Sequence, residues 1–441
     1  MEKQPVTAVI VGCGHRAMIY AAYAKDHPGE LRIVGAADPS AKALQEAARL
    51  YKLPENRLFA SAQEVAAVPK FADVVINGTM DKQHVETSLP LLRRGYDMLL
   101  EKPFAVNAEE ANALLRCARK HHRKVMVCHV LRYAHFYQTI KEWILAGRIG
   151  KIITVNSNEY VSFDHIVTSY VRGKWAKFEN CKSSMLLAKC SHDLDIITWL
   201  LGEDRPQKVT SFGSRSLFCA ENAPKEAGTR CTLDCPLVDS CIYSAKRIYL
   251  DRPGAWDGYV WSEFGCVRPD DMAVMLESLN TDNPYGRCVY KCDNDVVDRQ
   301  SVMLSFQSGA LATHNMIGGA AGGGRSIHIT GTLGEIYGAF DENRLHLKVI
   351  DPRPDTLTQT QTVDFSGEDL SGHGGGDMRL MADFIRYVRG EKTSVSCTGL
   401  DDSLAGHLAV FMADKSNESG GRPVSIDMPP EEAILTALAA L

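Results

Sequence analysis

Short apolar runs recur through the first third of the chain, separated by longer stretches with helical spacing. VTAVIVG from Val6, RIVGAAD from Arg32, DVVINGT from Asp73, DMLLEK from Asp97 and KVMVCHV from Lys124 are continuous enough to be buried on both faces, as parallel strands are. Between them AKALQEAARLYK from Ala41 and AEEANALLRCARKHHR from Ala108 read as amphipathic helices, the second opened by Asn107 as N-cap. This alternation predicts a doubly wound parallel sheet, which binds ligands at the carboxyl ends of its strands. From about Ile152 the pattern changes. KIITVNSNEYVSF, PQKVTSFGSRS, SVMLSFQSGALATHNM and RSIHITGTLGEIYGAF are strands separated by turns, predicting a mostly antiparallel sheet with helices on one face.

The first strand ends in Gly12-Cys13-Gly14-His15-Arg16-Ala17, a G-x-G-x-x-A turn leading into a helix. Gly12 permits the tight turn, Gly14 lets backbone approach a pyrophosphate, and Ala17 allows close helix packing. The helix start, with His15 and Arg16, offers free N–H groups to the anion. A tight turn without ligand is the plain alternative. The second strand ends in Asp38, where an acid accepts hydrogen bonds from an adenosine ribose and repels a 2'-phosphate. NAD is therefore expected over NADP, for which Arg16 and Ser40 leave some room; Asp38 could instead cap the next helix. Residues 1–130 are assigned to a dinucleotide-binding Rossmann domain and 131–441 to an α+β domain with a large, mostly antiparallel open sheet.

Composition narrows the partners. Hydrophobic residues make up 45% and charged residues 23%, which excludes disorder, collagen and coiled coil. The net charge is -5 and the basic run around Lys120 to Lys124 is short, so nucleic acid is not expected. No apolar run reaches the ~18 residues that span a bilayer. The N-terminus reads as a strand and not a signal peptide, so a cytosolic enzyme without membrane partner is expected. Cysteines there are usually free, metal-bound or catalytic.

The glycine turn, the segment NGTMDKQHVETSLPLLRRGYDMLLEKPFA from Asn77 and HVLRYAHFYQTIKEWILAGRIGKI from His129 together resemble the Gfo/Idh/MocA family of nicotinamide-dependent oxidoreductases. HDLDIITWLLG from His192, HITGTLGEIYG from His328 and the stretch around Leu404 extend the likeness along nearly the whole chain. Its most specific piece is the triplet Glu101-Lys102-Pro103 at a strand end. The resemblance implies that Lys102 lies beside the nicotinamide and the substrate hydroxyl, and that Thr79, Asp81, His84 and Glu101 line the cofactor. A lysine suits the task because it can donate to the reacting oxygen and stabilise alkoxide charge. A solvated lysine and a helix-surface histidine are the plain readings of Lys102 and His84.

In SMLLAKCSHDLDIITWLLG from Ser184, helical spacing puts Lys189, His192 and Asp193 within a turn of one another, with Asp195 close by. Relatives carry an acid, a histidine four residues on and an acid three beyond; His192 and Asp195 match the last two. The first position is Ala188, which cannot replace a carboxylate and leaves Lys189 or Asp193 as substitutes. His192 suits a general base for an alcohol proton. Candidate substrate contacts are Asp195, Tyr133 beside Arg132, His165, Arg172 and Trp175 in DHIVTSYVRGKWAK, and His373 in the glycine-rich SGHGGGDMRLM, where Asp377 could cap or contact ligand.

Between about 214 and 298 lies an insertion holding seven of the thirteen cysteines. Cys231, Cys235 and Cys241, with Cys219 upstream, have spacing that zinc could use; buried reduced thiols are the alternative. Cys288 and Cys292 suit one ion less well, since on a strand they would stand ~13 Å apart.

The chain is expected to be an NAD-dependent oxidoreductase acting on a CH–OH group of a sugar, glycoside or cyclic polyol, with Lys102 and His192 at the reacting carbon. The resemblance also leaves open glycoside cleavage without net redox change, through transient oxidation, elimination and re-reduction on retained NAD, and a non-enzymatic NAD- and sugar-sensing regulator. It implies a homodimer or homotetramer formed through the open sheet.

Overall fold

The computed structural model describes residues 4–368 and 371–427. Six strands form the first sheet: β1 (Val6–Val11), β2 (Leu31–Ala37), β3 (Leu58–Phe59), β4 (Val74–Asn77), β5 (Asp97–Leu100) and β6 (Val125–Val127). All pairs are parallel, in the order β3-β2-β1-β4-β5-β6. The continuous apolar runs arise because both faces are covered. Along β1, Val6, Ala8 and Ile10 enter one core while Val9 and Val11 enter another. Asn107 caps the helix Ala108–Lys120, its side chain accepting from the Glu110 amide at 2.8 Å.

The second sheet has nine strands: β7 (Ile152–Ser162), β8 (Pro206–Ser214), β9 (Arg299–Phe306), β10 (Leu311–Ala320), β11 (Gly324–Gly331), β12 (Gly334–Ala339), β13 (Arg344–Ile350), β14 (Thr358–Asp364) and β15 (Val424–Ser425). Their order is β14-β13-β12-β11-β7-β10-β9-β8-β15, antiparallel throughout except where β10 runs parallel to β7. Burial alternates along β9, as a sheet with one covered face requires. The helix Met185–Leu201 packs on that face. Fifteen of its seventeen residues are buried, and the Ser184 hydroxyl caps it by accepting from the Leu187 amide at 3.0 Å.

The chain then returns to the first sheet. Leu380, Met381, Phe384 and Ile385 of the helix Ser371–Arg389 share a core with Val6, Ala8 and Tyr20. Gly399 forms an antiparallel bridge to Met126 of β6. The first layer is thus completed by residues nearly 400 positions downstream, a seam that local periodicity cannot show.

Residues 214–298 form short helices and turns around aromatic side chains, with Trp261 completely buried. RCVYKC is not a strand: Val289–Lys291 is a 3-10 turn between Cys288 and Cys292.

Candidate active site

The glycine turn lies at the carboxyl end of β1. Gly12 has φ +78°, and a Cβ there would stand 2.7 Å from the Thr79 amide nitrogen, so only glycine fits. No side chain caps the helix His15–Asp26 at Gly14, which leaves its first N–H groups to an anion. Asp38 accepts from the Cys13 amide and from the Ser40 amide, both at 2.8 Å. It therefore fastens the glycine turn to the end of β2, while Ser40 caps the next helix by accepting from Ala43. A turn only glycine can make, an uncapped helix start and a carboxylate at the second strand's end fit NAD. Burial and the Asp38 charge push the Cys13 thiol up to about 12, so it stays protonated and unreactive.

Around the crevice the predicted cofactor residues divide by role. Arg16 pairs with Glu101 at 3.1 Å and with Asp377 at 2.5 Å, tying the first helix to the helix Ser371–Arg389. Glu101 also accepts from the Tyr20 hydroxyl at 2.7 Å; burial pushes its carboxyl up, but Arg16 and Lys102 hold it below the usual range. Asp81 accepts from Trp175 Nε1 at 3.1 Å and from the Ser183 hydroxyl at 2.8 Å. Thr79 donates to the Asn77 side chain at 2.9 Å. His84 is no surface histidine. It is buried between these two crevice segments, with Nδ1 2.6 Å from the Pro103 carbonyl and Nε2 3.0 Å from the Thr79 carbonyl.

Lys102 leaves the end of β5 and reaches the buried helix, where Nζ donates to the Ala188 carbonyl at 2.7 Å. Burial lowers its pKa, against the pull of Glu101 and Asp81. His192 follows one turn later. It is 6% exposed with Nδ1 unpartnered, and burial together with the nearby Lys102 charge holds it well below the usual histidine range, so its ring is neutral. Lys189 pairs with Glu159 at 2.9 Å, and Glu159 shares Arg325 with Asp193. His165 stacks at a tilt on Trp256, 5.2 Å between centroids, and burial plus the Lys189 charge depresses it to about 2. The His373 ring lies 6.2 Å from that of His192. Its φ of +54°, followed by Gly374 and Gly375 at +68° and +70°, makes a left-handed approach that the glycines accommodate.

The charges of Lys102 and Lys189 both reach His165, those of Lys102 and His373 reach His192, and Trp175 is fixed on Asp81. Three expected contacts are directed elsewhere. The buried Tyr133 donates to Asp383 at 3.1 Å. Asp195 is wholly buried and takes two hydrogen bonds from Arg132, at 2.6 and 2.7 Å. Arg172 points into the insertion, its Nε on the Arg287 carbonyl at 2.7 Å and another nitrogen on the Tyr243 carbonyl at 2.9 Å. Each polar end thus has partners within the protein. Sequence reasoning missed His129 at the end of β6. It is buried beside His192, 5.8 Å between centroids, with Asp195 3.5 Å from its Nδ1. Its only signal was a histidine closing a buried strand.

The thiols singled out for zinc do not come together. Bonds of ~2.3 Å place two sulfurs on one zinc at most ~4.6 Å apart. Among the described residues, ligand atoms gather within 4.8 Å only for Cys190, Asp193 and His314, and Cys231, Cys235 and Cys241 form no such group. Those three thiols and Cys288 line a small apolar cavity in the insertion, as reduced core residues. The carboxylate of the gathered trio is already paired with Arg325.

The insertion also reaches the adenosine edge of the crevice, where Lys42, four residues past Asp38, donates to the Phe264 carbonyl at 2.7 Å. No helix among the described residues is long and apolar enough to cross a membrane.

A six-stranded parallel sheet with a glycine turn, an uncapped helix start and a carboxylate at the end of its second strand is the frame of a nicotinamide-dependent oxidoreductase. The chain belongs to the Gfo/Idh/MocA oxidoreductase family: the model of its NAD-binding Rossmann fold matches residues 6–129 and that of its C-terminal alpha/beta domain residues 141–424. YteT of Bacillus subtilis, named as an oxidoreductase, is 26% identical over 351 residues, 73% of this chain and 77% of that one. The scyllo-inositol 2-dehydrogenase (NADP(+)) IolW of the same organism is 25% identical over 202 residues, 45% of this chain and 53% of its own. Among solved structures, levoglucosan dehydrogenase in complex with NADH shares the fold with a TM-score of 0.69 and 17% identity, over 97% of this chain and 100% of that one. The WlbA dehydrogenase of Bordetella pertussis, in complex with NADH and UDP-GlcNAcA, shares it at 0.67 and 17%, with the same coverage.

Proposed function

We propose that the protein oxidises a CH–OH group of a sugar, glycoside or cyclic polyol with NAD, using Lys102 and His192. The observation that carries this reading is the contact of Lys102 with the Ala188 carbonyl, which brings a half-buried cation from the first sheet onto the helix that presents the neutral His192. NAD, when bound, supplies the hydride acceptor. Lys102 donates to the reacting oxygen and stabilises the charge that grows on it. His192, uncharged at neutral pH, accepts the hydroxyl proton. Lys189, steadied by Glu159, and the His165 and His373 rings orient the neighbouring hydroxyls, while Trp175 on Asp81 closes one wall. Asp38 favours NAD over NADP, because a 2'-phosphate would meet its carboxylate. The outward face of the second sheet, with Ile153, Tyr160, Phe212, Met303 and Leu311 exposed, is the surface for pairing of subunits.

The experiment is turnover of a sugar and polyol panel, followed at 340 nm, by the native chain and by Lys102→Ala. A loss of 10³-fold or more with NAD still bound supports the roles; unchanged turnover overturns them.

A second reading is favoured by the Lys42 to Phe264 contact. An insertion fastened over the adenosine edge slows cofactor exchange, which suits redox-neutral cleavage of a glycoside on retained NAD. NAD that copurifies, and product formed without absorbance change at 340 nm, select it.

A further inference from the structure

Next to the crevice, the loop from Arg172 to Asn180 and the insertion border an open cavity of about 550 Å³. The loop is held rigidly at two points. Arg172 is drawn into the insertion by the carbonyls of Arg287 and Tyr243, and Trp175 is drawn to Asp81 of the cofactor crevice. Gly173 follows Arg172 because any side chain there would collide with the Thr168 carbonyl. Lys174 stands between these anchors and lines the cavity.

The charges lining this space are unequal. Arg172, Lys174, Lys177 and Arg287 face it, against Asp282 and Asp293. Arg172 is occupied by carbonyls, and Lys177 and Arg287 both pair with Asp293. Among the described residues Lys174 has no carboxylate partner; its ammonium rests 4.3 Å from the centre of the Trp175 ring. Lys174 is exposed at the mouth of this cavity; nearby protein lowers its pKa, Asp81 and Glu101 of the crevice act in the opposite sense, and its charge is felt at His15 of the glycine turn. A cation without an ion pair therefore faces this open hollow beside the crevice, with Asp282, equally unpaired among the described residues, on its rim and Asp293 taken up by Lys177 and Arg287.

We propose that this cavity is a subsite for an oxyanion, a carboxylate or phosphate carried by a ligand of the crevice, with Lys174 as the pairing cation. The inference rests on the reading of the crevice as a nicotinamide site. The oxyanion has two sources: the acidic group of a sugar acid or sugar phosphate, or the pyrophosphate of the cofactor itself.

The test uses the full chain, Lys174→Gln and Lys174→Arg in calorimetric titrations. Probes are NAD, and the pairs galacturonate with galactose and galactose 6-phosphate with galactose, each sugar with and without NAD. An acidic sugar bound at least tenfold tighter than galactose, with the preference erased by K174Q and kept by K174R, assigns the subsite to substrate. A tenfold weaker NAD affinity in K174Q, restored in K174R, assigns it to the pyrophosphate. If K174Q stays within twofold of the native chain for NAD and for the acidic preference, or neither preference exists, the proposal is overturned. Failure of the native chain to bind NAD sinks the nicotinamide reading instead, and the sugar titrations without NAD still judge the cavity.

Discussion

The ammonium of Lys102 donates to the main-chain carbonyl of Ala188 at 2.7 Å, one helical turn before His192. Relatives are expected to offer a carboxylate at that position; here the lysine meets a neutral oxygen, and burial lowers its pKa. A donor that loses its proton early gives an alkaline limb in kcat/KM below the ~10.4 of a free lysine. Ala188→Asp supplies the missing charge and moves that limb upward by about one unit or more. A pH profile from 6 to 11 for both proteins checks this, and an unmoved limb removes Lys102 from the titration.

The Arg132 and Asp195 pair is fully buried, with two hydrogen bonds and Trp199 stacked 5.3 Å from the guanidinium. Removing one partner leaves the other charge dry and unpaired, which costs about 3–5 kcal/mol. Asp195→Ala is therefore expected to unfold at much lower urea concentration than the native chain, whereas a merely substrate-binding Asp195 would raise KM at unchanged stability. Urea titration beside KM decides.

Much of the fold was legible because its signals are local. Buried parallel strands show as apolar runs, Asn107 as a cap, and Gly12 as a turn that no other residue makes. Lys102 and His192 were reachable through the triplet and the helix around them. The partners of the site were not. Arg325 and Glu159 lie on strands of the second sheet, and Arg16 meets Asp377 more than 360 positions away. Such pairings depend on strand order and on the return of the helix Ser371–Arg389 to the first sheet. The partners of Tyr133, Asp195 and Arg172, namely Asp383, Arg132 and the carbonyls of Arg287 and Tyr243, were out of reach for the same reason. A polar residue near a site motif shows its type, but only the packing shows whether its polar end already has a partner.

The insertion cysteines lead to a prediction about metal. Their sulfurs do not gather, so stability should not depend on an ion. Dialysis against a chelator is expected to leave the melting temperature within about 1 °C and the protein with less than about 0.2 equivalents of zinc by elemental analysis. A drop of several degrees that zinc restores would show that the thiols rearrange around a metal.

Buried histidines make stability depend on pH in one direction. His129, His192 and His407 are all almost completely buried, and burial holds each below the usual range, His407 to about 3. In the unfolded chain each takes a proton near pH 6.5, whereas in the folded chain it stays neutral well below that. The unfolded state thus binds more protons between these limits, and stability rises with pH there. Above about pH 7 the contribution is complete; it is lost as pH falls below 6.5 toward the folded values, by up to ~1.4 kcal/mol per unit for each ring. Glu101 and Asp377, whose pKa values are lowered by their cationic partners, lose stability in the same direction at lower pH. The melting temperature should therefore be level from pH 7 to 8 and fall steeply between 6.5 and 5. His407→Gln, which keeps a polar side chain but cannot take the proton, should lessen that fall by the share of one ring among the several buried histidines. A curve as steep in His407→Gln as in the native chain would show that other groups govern the acid transition.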